Sequence, residues 1–262
     1  MSWIVAISNQ KGGVGKTTTC ISLGAYLANA GQPTLIVDLD SQANLTFATG
    51  FDPDTVELAI PDLLEDSDNL LYMNTDLILH TSVPGLDILP SDVRLAAAEQ
   101  SLFSKEGYEK SLLNSLAPFR DKYAFILIDC PPSLSALTLI ALTAAELVLV
   151  PVQCEYYSAR GLLRLIDVVE AVQKHTNPTL DYRLVVTMFD RRNKISFQVY
   201  DQIIQNYQDK IFETIIGVDT KLKESAVVGE PILTYAPSSR SAKAYKQLAL
   251  ELISFTRTKG AK

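Results

Sequence analysis

The 262-residue chain is predicted to fold as one α/β domain, a doubly wound, mostly parallel sheet flanked by helices. Three observations lead there. Short apolar runs alternate with stretches of helical periodicity along the whole chain. Several of these runs are continuously apolar, the pattern of parallel strands covered on both faces. A glycine-rich segment, Lys11 to Thr18 (Lys-Gly-Gly-Val-Gly-Lys-Thr-Thr), separates the first run from the first helical stretch. That strand, loop and helix order cradles phosphates.

The strand-like runs are Trp3–Ile7, Thr34–Asp38, Leu77–His80, Leu86–Leu89, Ala124–Asp129, Leu147–Val150, Leu184–Met188 and Ile211–Ile215. Helical spacing occupies Thr17–Ala30, Asp92–Leu102, Tyr108–Leu116, Leu134–Ala145, Ser158–His175, Ser196–Tyr207 and Ser241–Phe255. Gly31 sits where a helix C-cap belongs, before the second strand. Phe51-Asp52-Pro53-Asp54 reads as a turn. The most apolar stretch, Ser133–Val152, contains Glu146 and reads as a helix followed by a buried strand, not a membrane span. Strand and glycine loop begin at once, so no signal peptide is expected.

Composition narrows the chemistry. Cys20, Cys130 and Cys154 lack metal spacing and cannot pair evenly, which points to a reducing cytoplasm. Two isolated histidines, His80 and His175, leave little room for histidine catalysis or zinc. Net charge is −7, against a generally basic coat, yet residues 1–182 carry −12 and residues 183–262 carry +5. Such asymmetry accompanies a local polyanion-binding face or an ordinary solvated surface.

In the loop, Gly12, Gly13 and Gly15 let backbone N–H groups converge on phosphate oxygens. Lys16 neutralises the β/γ charge, and the Thr17 hydroxyl reaches Mg²⁺. Val14, within the loop, and Thr18, after it, complete the nucleotide-binding run, and the helix start favours the anion further. Gln10 stands at the usual first glycine, and a second lysine, Lys11, follows it. Two apolar runs end in carboxylates. Leu35-Ile36-Val37-Asp38-Leu39-Asp40 puts Asp38 and Asp40 two apart, on one side if the strand continues. Phe125-Ile126-Leu127-Ile128-Asp129 ends in one carboxylate before a Cys-Pro-Pro turn, the form of a magnesium-holding Walker B element. Buried carboxylates of this kind need a cation or donors.

The loop resembles the deviant Walker A box of the ParA/MinD superfamily of P-loop ATPases. The chain from Trp3 to near Arg257 is most similar to the ParA/Soj partition ATPases, least so between about Asp52 and Pro84. The resemblance implies a P-loop NTPase fold with ATP and Mg²⁺ as cofactors. It makes Lys11 the lysine that crosses a dimer interface to the partner's phosphates, and Asp40 the residue that orients the attacking water. Asp38 is then a metal ligand or one shell further out, Asp40 belongs with Thr17 and Asp129 to the metal site, and Met188 belongs to the nucleotide site. Arg192 and Lys221 fall on DNA-contacting arginine positions, with Arg240 and Lys243 adding charge. Ser41 and Ala43 stand where the family has Pro and Gly, and Ile216-Gly217-Val218-Asp219 replaces its Ile-Pro-Arg-Asn. The implied protein is a slow ATPase, a cytoplasmic, nucleoid-associated homodimer in its ATP state. It binds non-specific DNA, not membrane, and answers to a ParB-like or adaptor protein. Its cargo is a chromosome, a plasmid or a protein organelle such as a carboxysome. The alternative is a MinD-like membrane-cycling ATPase, which needs an amphipathic tail. The last helix instead carries Ala242, Tyr245, Leu248, Ala249, Leu252 and Ile253 as a core-like stripe.

Overall fold

The computed structural model describes residues 2–65, 77–155 and 158–260. Eight strands form one sheet: β1 (Trp3–Ile7), β2 (Thr34–Asp38), β3 (Leu79–His80), β4 (Leu86–Leu89), β5 (Phe125–Asp129), β6 (Leu147–Gln153), β7 (Asp181–Phe189) and β8 (Ile211–Gly217). Their order is β3-β4-β2-β5-β1-β6-β7-β8, with every pairing parallel except β3–β4.

The helices are α1 (Lys16–Asn29), α2 (Asn44–Ala48), α3 (Ile60–Glu65), α4 (Leu95–Leu102), α5 (Ser111–Leu116), α6 (Ala136–Ala144), α7 (Ser158–His175), α8 (Lys194–Tyr207), α9 (Thr220–Val227), α10 (Ile232–Tyr235) and α11 (Arg240–Gly260). Short 3₁₀ turns cover Tyr108–Lys110, Ala117–Phe119 and Gln208–Lys210.

Alternate strand residues feed two cores, as parallel strands with both faces covered must. Ile4, Ala6, Leu35, Val37, Ile126, Ile128, Val148 and Val150 face a layer that includes Leu63, Leu95, Leu112, Ile140 and Leu165. Val5, Ile7, Ile36, Ile88, Leu127 and Leu149 face α1 and α11. The stripe Ala242, Tyr245, Leu248, Ala249, Leu252 and Ile253 is buried in that second core. Gly24 lets α1 lie close to the sheet: a methyl group there would meet Ile36 Cγ2 at 2.9 Å and Leu86 Cδ1 at 3.1 Å.

At the end of α1, Gly31 has φ 76°, its N–H donates to Ala28 O, and Gln32 N–H donates to Leu27 O. This is the left-handed cap expected from sequence. Glu146 is accounted for by β1 and a cation: its carboxylate accepts from Ile4 N at 2.6 Å and from Arg120. The order of strands puts β1 between β5 and β6, so the chain leaves β1 toward β2 on one side and later crosses to β6 on the other. Ligands of such sheets bind outside the strand C-termini at that reversal.

Candidate nucleotide site and cationic face

β1 delivers the glycine loop to the sheet's C-terminal edge, and Gly15 turns into α1 with φ 89°, a conformation that favours glycine. Lys16, the first residue of α1, is only 8% exposed. Burial lowers its pKa, opposed by the fields of Asp129, Cys130 and Asp40. A buried ammonium at a helix start, beside the loop's N–H groups, is arranged to meet an anion.

Strand register sets the carboxylates beside it. Ile7 of β1 and Asp38 of β2 both lie opposite Asp129 of β5. Asp129 Oδ2 accepts from the Thr17 hydroxyl at 2.6 Å. Its Oδ1 is buried with no partner among the described residues. Burial first, then the Asp38 charge, pushes the Asp129 carboxyl up to about 8. An orphaned, desolvated carboxylate oxygen beside a hydroxyl fits a divalent cation. Among the described residues no group of three or more His, Cys, Asp or Glu side chains could hold a metal by itself. Mg²⁺ takes one or two protein oxygens and completes its shell with phosphates and water.

The other two carboxylates part company. β2 stops at Asp38, so Asp40 lies in the following loop, where its Oδ1 accepts from Gln42 N at 3.0 Å. Asp38, fully buried, turns to α2. Its Oδ2 accepts from Thr46 N and Thr46 Oγ1, both at 2.8 Å, and its Oδ1 accepts from Asp40 N at 3.3 Å. Thr46 Oγ1 in turn accepts from Ser91 N at 2.9 Å. Burial raises Asp38 to about 6 against these donors. The geometry thus gives Asp38 the work of pinning α2 and the loop that carries Asp40. Ala43, 2% exposed at the start of α2, holds φ 49°, which a Cβ strains.

Lys11 takes a different place from Lys16. It is one-third exposed, and its Nζ donates to Gln153 Oε1 at 2.7 Å and to Glu155. Gln153 Nε2 also donates to Gly13 O at 3.2 Å and lies 2.7 Å from Met188 Sδ. Thr187 Oγ1 donates to Val14 O at 2.8 Å. The C-terminal ends of β6 and β7 are therefore tied directly to the glycine loop. Beside them opens a cavity of about 820 Å³, lined among others by Gly15, Thr18, Met188, Ile216 and Asp219. Met188, with φ 50°, is half-exposed there.

A second cavity, about 660 Å³, adjoins it beyond Asp190, Gly217, Val218 and Asp219, which line both. Arg191, Arg192, Arg240 and Lys243 surround it. Lys221 lies next to it and lines a shallower depression with Arg240. Arg192 is gripped by Asp190, with Nε to Oδ1 at 3.0 Å and NH2 to Oδ2 at 2.9 Å. Lys221 Nζ donates to Glu224 at 2.7 Å and sits 5.9 Å above the Tyr235 ring.

A family model described as an AAA domain matches residues 2–182. The sporulation initiation inhibitor protein Soj of Bacillus subtilis is 42% identical over 96% of this chain and 98% of its own. The chain belongs to the ParA/Soj family of P-loop ATPases. The chromosome partitioning protein ParA of Caulobacter vibrioides is 37% identical, with 99% of this chain and 97% of that protein covered. Among solved structures, a cobyrinic acid a,c-diamide synthase from Mycobacterium smegmatis, with bound ATP analog and magnesium, superposes with TM-score 0.85 at 33% identity. The match covers 99% of this chain and 97% of that one. These names differ in activity on one fold, so function must be argued from the site.

Within this ParA/Soj chain, the glycine loop, Lys16, Thr17, Asp40 and Asp129 lie near one another beyond the C-terminal ends of β1, β2 and β5. Lys11 stands at the rim, and Arg192, Arg240 and Lys243 share a cavity with Lys221 beside it. Sequence reasoning passed over Thr46, Gln153 and Thr187. All three are polar groups whose roles depend on contacts across 8, 140 and 173 residues, which no local spacing reveals. Arg191 carried a visible signal, as half of an Arg-Arg pair, but stood in the shadow of its neighbour.

Proposed function

We propose that this protein is an ATP-dependent dimerisation switch that binds DNA without sequence preference and positions a cargo. ATP with Mg²⁺ sits on Gly12 to Thr18, with its base in the cavity lined by Met188. Mg²⁺ is held by Thr17 and, directly or through water, by Asp129. Two subunits close face to face, and Lys11 of each reaches the other's phosphates. The separation of the two loop lysines is the observation that carries this reading. Lys16 is buried beside Asp129, whereas Lys11 stands at the rim on neutral and acidic acceptors that a phosphate can replace.

Asp40 orients the attacking water. Hydrolysis is slow and chiefly electrostatic. Lys11 delivered in trans adds transition-state charge as an arginine finger does. Slow turnover suits a timer, released by a ParB-like or adaptor protein that speeds hydrolysis. The cationic cavity supplies phosphate contacts, so binding is sequence-independent and steeply salt-dependent. Chromosome, plasmid and protein organelle remain equivalent cargoes in this chemistry.

A membrane-cycling role is disfavoured by the last helix, whose apolar stripe is buried against the sheet. Among the described residues, no helix is long and apolar enough to cross a membrane. Retention of random-sequence duplex DNA on a filter tests the proposal. Retention should require Mg-ATP, fail with ADP, and fall steeply with salt. Flotation with liposomes in ATP, without DNA retention, overturns it.

A further inference from the structure

The cation at the mouth of the second cavity is already occupied by the chain itself. Asp190 holds Arg192 through both carboxylate oxygens, and also accepts from the Arg192 backbone N–H at 3.0 Å. The pairing draws Asp190 down to about 2 and raises Arg192. A phosphate seeking this guanidinium must therefore compete with a carboxylate of the same bidentate shape.

Asp190 is not an ordinary surface partner. It lines both the nucleotide-side cavity and the cationic cavity, whereas Arg192 lines only the latter. It is also the second residue after Met188, which lines the nucleotide-side cavity at a left-handed φ of 50°. Thr187, one residue earlier, is bonded to Val14 O of the glycine loop. A continuous stretch of backbone, Thr187 to Arg192, thus runs from the phosphate loop to the cationic cavity. Its acidic member faces both sides. A nucleoside carries donors, an exocyclic amine and ribose hydroxyls, while an ionised carboxylate only accepts.

We propose that Asp190 is the residue through which the bound nucleotide governs DNA binding: its carboxylate engages either Arg192 or the nucleoside side, and only in the second case is Arg192 free for a DNA phosphate. This rests on the DNA-binding reading above and names the regulation of that same face. Glu224 provides the contrast. It pairs with Lys221 through one carboxylate oxygen, which also accepts from the Tyr235 hydroxyl at 2.8 Å, but it does not line the nucleotide-side cavity. Its hold on Lys221 should be indifferent to nucleotide.

The size of the effect is bounded. Arg192 is 86% exposed at its side chain, and a solvent-exposed pair of this sort is worth at most about fivefold in an equilibrium. The test compares Asp190→Asn and Glu224→Gln with the wild type, by fluorescence anisotropy of a labelled random-sequence duplex, with and without Mg-ATP. Asp190→Asn should tighten nucleotide-free binding by about three- to fivefold and leave the ATP-bound affinity nearly unchanged, so that the ratio of the two falls. Glu224→Gln should tighten both states alike and leave the ratio where it was. Equal tightening in both states by Asp190→Asn would show a bulk charge effect and overturn the proposal, as would no tightening at all. A wild-type protein that binds no DNA in either state overturns the DNA-binding reading and this inference with it. A wild type that binds more tightly with ATP than without, beside an Asp190→Asn variant with the same ratio, overturns this inference alone.

Discussion

Replacing Thr46 by Val keeps the shape of the side chain and removes only its hydroxyl, which serves two buried partners at once. That hydroxyl donates to Asp38 Oδ2 and accepts from Ser91 N. A hydrogen bond to a charged group contributes about 1.5–3 kcal/mol, and an orphaned buried N–H costs about 1–3 kcal/mol. Thr46→Val should therefore destabilise the fold by about 3–5 kcal/mol at neutral pH. The loss should also depend on pH. Asp38 is raised to about 6 in the fold from an ordinary 3.8, so what it contributes to stability is full below 3.8 and lost as pH rises through about 6. Without the Thr46 hydroxyl its pKa climbs further, and the gap between variant and wild type should widen as pH is raised above about 6. Urea unfolding at pH values on either side of 6 reads both effects. A loss under about 1 kcal/mol at both values, or a gap that narrows with rising pH, would refute the assignment of Asp38 as the post that holds α2 and the Asp40 loop.

Asp40→Ala should leave Mg-ATP binding intact and stop turnover, trapping ATP in single-turnover assays; unchanged release of phosphate would remove Asp40 from the reaction. Arg192→Ala should weaken binding to random-sequence DNA and lower the slope of log affinity against log salt by about one, without altering the basal ATPase rate. An unchanged salt slope in a filter assay would count against the cationic cavity. At the opposite end of β7, burial works to raise Asp181, but bonds from Lys210 and Lys259, with the Arg183 charge, outweigh it and hold the carboxyl at about 2. A depressed carboxyl stabilises above its unfolded value and loses that contribution as pH falls from about 3.8 to about 2. Asp181→Asn should thus cost about 2 kcal/mol at pH 7 and nearly nothing at the acid end of that window. An equal cost throughout, by chemical denaturation, would mean that the charge is not what matters.

Much of this molecule could be read from its residues because its strongest features are local. β1, β2 and β4 begin and end where the apolar runs do. The runs ending at Val150 and Met188 fell short. β6 continues to Gln153 and β7 to Phe189, and the extension of β6 carries the buried polar Gln153, which looks like a loop residue until its partner on the glycine loop is seen. Four helices were not anticipated: α2, α3, α9 and α10, none longer than eight residues. Such lengths are too short for a 3.6-residue period to declare itself. What starts two of them is instead a carboxylate: Asp219 accepts from Lys221 N at α9, and Asp38, eight residues away, accepts from Thr46 N inside α2. The same limit applies at the site. Strand-end aspartates are visible, but which of them meets a hydroxyl, which is left without a partner, and which turns to a helix depends on strand register and on distant donors.

The account depends above all on two copies joining across their triphosphates, each contributing Lys11. Light scattering on the Asp40→Ala protein in Mg-ATP, with and without the further change Lys11→Ala, examines this directly. The single variant should double in mass on adding ATP, and the double variant should bind ATP yet remain a monomer. A double variant that dimerises as well as the single one, or a single variant that never leaves the monomer, would contradict it.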